Sequence, residues 1–233
     1  MPAPLSRPRL AVAIVALAAI LLALVQLERA RIGIERIPLA VGDTPATLYR
    51  LEGDAEAPLA VVTHGFGGSR QMMEAISLTL ARAGLAVVSF DFRGQGRSAI
   101  PMSPDAFPNE AGSSGTTVQL VRQTLEVVEA ARALPGIAGP PALIGHSMAT
   151  DILVRAADRL PEVGPVALIS AYSRQVTPET PARLLILSGQ REGGLREVAL
   201  EMARQVAPDA AEGETVRAGA VERRASVAPY VGH

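Results

Sequence analysis

Pro-Ala-Leu-Ile-Gly-His-Ser-Met-Ala, residues 141–149, decides how the rest of the chain is read. A short apolar run enters Gly145-His146-Ser147-Met148-Ala149, and a segment with helical spacing follows, with Ile152, Leu153, Ala156 and Leu160 on one side. Strand, tight turn, helix is the context a serine nucleophile requires. Small residues two before and two after Ser147 let the backbone fold sharply and hold the hydroxyl in the open above a helix start. A five-residue match alone is weak; the flanking strand and helix give it meaning.

Outward from this turn, strands alternate with helices. Strands are expected at 32–40, 45–51, 59–63, 85–90, 166–170, 183–188 and 222–228, besides the one leading to Ser147. Helices are expected at 69–83, 116–134, from Ser147 to Leu160, and at 195–206. The inner strands are continuous apolar runs, as in parallel sheets covered on both faces. The first two, joined by a Gly42-Asp43 turn, read as a hairpin. Residues 99–115 show no period and hold three prolines and two glycines, which suits a functional loop over a site.

The 233 residues are 48% hydrophobic, enough for a sizeable core, and no linker divides residues 32–233, which read as one domain. With 3% aromatics and no Trp, that core is built from Leu, Val, Ala and Ile. A net charge of −1 without a basic block argues against nucleic acid as a partner. The absence of cysteine excludes a thiol nucleophile and thiolate metal sites, and three scattered histidines make no metal cluster, so no metal is expected.

Residues 1–31 are distinct. Leu10 to Val25 carries no charged or polar side chain, and Gln26-Leu27 extends the run to about 10–27. That length suits an N-terminal membrane anchor better than the shorter apolar region of a secretory signal, and the bulky Val25-Gln26-Leu27-Glu28 offers no cleavage site. A cleaved signal and a buried helix are the competing readings. Arg7 and Arg9 favour a cytoplasmic N-terminus, with the domain on the periplasmic or extracellular side; Arg29 and Arg31 blur that asymmetry.

A serine hydroxyl needs a base, a group to orient the base, and donors for the developing oxyanion. His64 precedes a glycine-rich turn, and His146 points away from its neighbour's hydroxyl, which leaves His233 as the base. Glu192 is the first acid past the strand at 183–188 and is the candidate orienting carboxylate. The same residue would also suit the first turn of a helix. Helix spacing accounts for Glu197, and a surface loop for Asp209. The oxyanion donors are expected to be the backbone amides of Met148 and Phe66. His64, Gly65, Gly67 and His146 are expected to contact substrate. A phosphate-binding loop at 65–68 is disfavoured, because no lysine follows at the required spacing.

His64-Gly65-Phe66-Gly67-Gly68-Ser69, Asp91-Phe92-Arg93-Gly94-Gln95-Gly96-Arg97-Ser98, the Ser147 turn, the Gly189–Glu192 turn and Gly232-His233 stand in the order found in the α/β-hydrolase fold family. The chain resembles that family over residues 32–233. The resemblance implies a mostly parallel sheet of about eight strands, a Ser147–His233–Glu192 triad, and acyl transfer without a cofactor on a small ester or amide. Three departures stand out: Ala149 where Gly is usual, Glu192 where Asp is more common, and a stretch from Ser170 to Arg183 too short for the cap domain often inserted there. The family's histidine is normally followed by a final helix, so the sequence reads as truncated after His233. A membrane-tethered binding domain that kept the fold without the chemistry is the alternative.

Overall fold

The computed structural model describes residues 7–53, 56–102, 115–173, 175–177, 180, 183–189, 191–208, 215–218 and 223–230. His233, the expected base, and residues 103–114, most of the expected covering loop, lie outside the described residues.

The strands are β1 (Ile34–Val41), β2 (Thr44–Leu51), β3 (Ala57–Thr63), β4 (Ala86–Phe90), β5 (Ile137–His146), β6 (Val166–Ile169), β7 (Leu184–Gly189), β8 (Thr215–Ala218) and β9 (Arg223–Tyr230). They form one sheet in the order β1-β2-β4-β3-β5-β6-β7-β9-β8. From β4 through β9 every neighbouring pair is parallel; β1 with β2, β2 with β4, and β8 with β9 are antiparallel. The helices are α1 (Arg7–Arg29), α2 (Glu74–Arg82, entered through a 3-10 turn at Arg70–Met73), α3 (Thr116–Arg132), α4 (Met148–Ala157) and α5 (Gly194–Val206).

Side-chain alternation along β3 fixes the two layers. Leu59 and Val61 join Leu120, Val128, Leu153, Ile186 and Met202 in one buried cluster, which collects α3, α4 and α5. Ala60 and Val62 point the other way, into a smaller cluster with Leu78, Ala81 and Val87 beneath α2. Burying both faces of the inner strands is what their unbroken apolar runs require.

The strand order reverses at β3. From β3 the chain moves outward to β4, then crosses back through α3 to β5 on the opposite side of β3. In open α/β sheets a ligand crevice lies at such a point. The loops leaving β3 and β5 begin at His64 and Ser147.

Two features differ from the sequence expectation. The sheet has nine strands among the described residues, the ninth being β8, a four-residue edge strand containing Arg217 that is too short to show alternation. β5 also starts at Ile137, ahead of Gly139-Pro140-Pro141. Prolines are admitted there because the pairing of β3 with β5 shifts register between Pro58 and Ala60.

α1 has 23 residues, none buried, and is long and apolar enough to cross a membrane. At about 1.5 Å per residue it reaches about 35 Å, against about 30 Å of bilayer hydrocarbon. Its exit is pinned to α2. Arg82 Nη2 donates to the carbonyls of Arg29 at 3.2 Å and Ala30 at 2.9 Å, and Arg31 and Arg36 both pair with Glu74 at 3.0 Å.

Candidate active site

Ser147 sits between β5 and α4 with φ 53° and ψ −120°, one of two positive φ values at non-glycine residues among those described. Such a conformation costs about 1–3 kcal/mol and persists only where its surroundings fix it. Here the Ser147 amide donates to the Ile169 carbonyl of β6 at 2.9 Å, and the Ser147 carbonyl accepts from the Thr150 amide at 2.9 Å. The buried Thr150 hydroxyl lies 2.7 Å from the same carbonyl and accepts the Tyr172 amide at 3.0 Å, tying the turn to the chain beyond β6.

Close packing explains the small residues around the serine. A Cβ on Gly145 would stand 2.7 Å from Leu153 Cδ1 and 3.1 Å from the Ala149 Cβ. Ala149 itself is fully buried in the main core, so its methyl is accommodated where glycine is usual. Gly65 faces the turn from β3: a Cβ there would meet His146 Nδ1 at 2.9 Å and Ser147 Cβ at 3.0 Å. The loop after β3 and the serine turn thus touch, and only a bare backbone fits between them.

The loop residues divide into those that face outward and those that brace it. Phe66 is exposed, and Met148 is half-buried at the first position of α4, where helix geometry leaves amides without intrahelical partners. The Gly67 amide donates to Gln95 Oε1 at 2.6 Å, so this amide braces the loop rather than facing substrate. His64 also departs from the expected substrate contact. It is 1% exposed, with its ring edge-on to Phe92. Its Nδ1 is 2.7 Å from the Gly65 carbonyl and its Nε2 accepts the Phe92 amide at 3.1 Å, which fixes the neutral ring with the proton on Nδ1. A histidine at the end of a buried strand meets backbone before it meets solvent. His146 is half-buried against Gly65.

Burial holds the His64 pKa below its ordinary 6.5, although Gly65 and Asp91 oppose the shift. The unfolded chain therefore takes up this proton more readily than the folded one, and stability falls as pH drops below about 6.5. Urea unfolding at pH 7 and pH 5 should show His64→Gln less stable than wild type at pH 7. Its loss on acidification should be smaller, by up to about 1.4 kcal/mol per pH unit.

Asp91 organises the whole corner and was not singled out as a functional side chain by the sequence. Fully buried, it pairs with Arg70, accepts the Arg70 amide at 2.7 Å and accepts the Arg97 amide at 3.0 Å. One carboxylate thereby joins the segment after the β3 loop to the turn after β4.

Glu192 lies just beyond β7 and before α5. Its Oε1 accepts from the Ser170 hydroxyl, and its Oε2 accepts the Gly189 amide at 2.8 Å, with Ser188 Oγ at 3.4 Å. The carboxylate is thus held at the C-terminal ends of β6 and β7, on the sheet edge that carries Ser147. Glu197 lies in the first turn of α5, as its spacing requires.

The family model described as "Serine aminopeptidase, S33" matches residues 55–217. No curated protein matches the chain. Among solved structures, TT1662 from Thermus thermophilus superposes with a TM-score of 0.62 at 16% identity, covering 86% of this chain and 90% of that one. A putative dienelactone hydrolase from Klebsiella pneumoniae gives 0.61 at 15% identity, with 84% and 85% covered. At these identities the likeness is one of fold. Against a putative lipase from Acinetobacter baumannii, at 23% identity and a TM-score of 0.46, 64% of this chain is covered but under half of that one, 46%.

Proposed function

The chain belongs to the serine aminopeptidase S33 family of α/β hydrolases, and from that premise we propose that it cleaves an ester or amide bond through an acyl-enzyme on Ser147. The observation that carries this reading is the strained serine turn, with positive φ at Ser147 and a bare-backbone loop pressed against it. Strained backbone of this kind clusters at functional sites.

In this mechanism Ser147 Oγ attacks the carbonyl carbon while the His233 imidazole takes its proton. Glu192 orients that imidazole and stabilises its charged form. The Phe66 and Met148 amides donate to the oxyanion. Collapse of the tetrahedral species breaks the bond to the leaving group, which departs with the proton from the imidazolium. Water, deprotonated by the same imidazole, then attacks the acyl-serine, and the acid and free Ser147 are released.

The path of the chain is compatible with His233 as the base. β9 ends at Tyr230, which pairs with Gly189, the residue whose amide holds Glu192. Three further residues reach at most about 10 Å, enough to bring an imidazole toward that carboxylate.

The exposed apolar α1 supports a membrane anchor, with Arg82 and Glu74 holding the domain at its foot. The reaction needs only the chain's own residues and a small acyl substrate. The full chain in detergent should therefore turn over p-nitrophenyl acetate, an aminoacyl p-nitroanilide, or both. Hydrolysis of neither would favour a tethered binding domain instead.

A further inference from the structure

Two described residues other than glycine have positive φ, and both are serines at the ends of adjacent parallel strands: Ser147 after β5 and Ser170, at 52°, after β6. The strain at Ser147 exposes a nucleophile. That at Ser170 has no such explanation. Glycine would adopt this backbone freely, yet a hydroxyl is kept, and it donates to Glu192 Oε1.

The backbone at Ser170 has work of its own. Its amide donates to the Leu187 carbonyl at 2.8 Å, and two residues later Tyr172 is bonded to Thr150 on α4. The chain thus turns from the sheet toward α4, the helix that follows Ser147, and the positive φ makes that turn. The same φ sends the side chain sideways, across to the end of β7. There the Gly189 amide holds Oε2 of Glu192 at 2.8 Å, while the Ser170 hydroxyl reaches Oε1 from the neighbouring strand. A glutamate has one more rotatable bond than an aspartate, so donors to both oxygens restrict the carboxylate more than donors to one.

We propose that Ser170 is a positioning residue that fixes the Glu192 carboxylate from the end of β6. This rests on the reading of Glu192 as the acid of the triad. It acts through Glu192 and touches no substrate.

The test uses the full chain in detergent with p-nitrophenyl acetate. Ser170→Gly keeps the turn and deletes the hydroxyl; Ser170→Ala deletes it and keeps the strain; Ser170→Thr retains it. Deleting a hydrogen bond to a charged group predicts a fall in kcat of about 10-fold or more for the Gly and Ala variants. KM should stay near wild type, Thr should keep more activity than Ala, and Ser170→Gly should melt no lower than wild type. In a Glu192→Ala background, Ser170→Gly should cause no further loss. Wild-type kcat in Ser170→Gly, or an undiminished further loss in the Glu192→Ala background, would overturn the assignment and leave the hydrolase reading standing. A wild-type chain without turnover would overturn the hydrolase reading, and this assignment with it.

Discussion

Ser147→Ala and His233→Ala are each expected to lower kcat on p-nitrophenyl acetate by about 10⁵-fold, and the double variant by no more than either alone. Neither residue is useful without the other. A hydroxyl without a base is protonated and inert, and a base without a nucleophile has nothing to activate. The remaining rate would come from substrate binding and from the Phe66 and Met148 amides, which neither substitution removes. Steady-state kinetics on the three variants checks this. Losses that multiply in the double variant would mean that the two side chains act independently, and the proton relay would be wrong.

Asp91→Ala is expected to cost about 3–5 kcal/mol of folding stability, the penalty for breaking a buried ion pair from one side. The Arg70 side chain is only 12% exposed and would keep its charge facing an empty space. The amides of Arg70 and Arg97 would lose their acceptor as well. For a chain of this size that corresponds to a fall in Tm on the order of 10 °C, measurable by circular dichroism on the full chain in detergent. Activity should fall too, because Arg70 lies just beyond the loop that carries the Phe66 amide. A Tm within a degree or two of wild type would show that Asp91 is not the corner's tie point.

The fold was legible because its strands are buried on both faces. Val61, Val62, Val87 and Val88 sit in unbroken apolar runs, and a parallel sheet covered by helices hides such runs on both sides. The serine turn was legible because close packing at Gly145 restricts residue type. What could not be read is whatever depends on contacts across strands. Thr215–Ala218 forms a strand only because β9 lies beside it. His64 looks free in sequence, next to flexible glycines; its burial comes from Phe92, on the neighbouring strand's exit. Ser170 is one serine among many until its φ and its reach to Glu192 are known. Asp91 was noticed within a motif, but its grip on Arg70 spans a strand, a turn and a helix.

The most direct test of the central claim is to react the full chain in detergent with a fluorophosphonate and locate the adduct by peptide mass spectrometry. An activated Ser147 predicts a single stoichiometric adduct on that side chain, lost in Ser147→Ala. An unmodified Ser147, or an adduct on another serine that persists in the Ala variant, would contradict it.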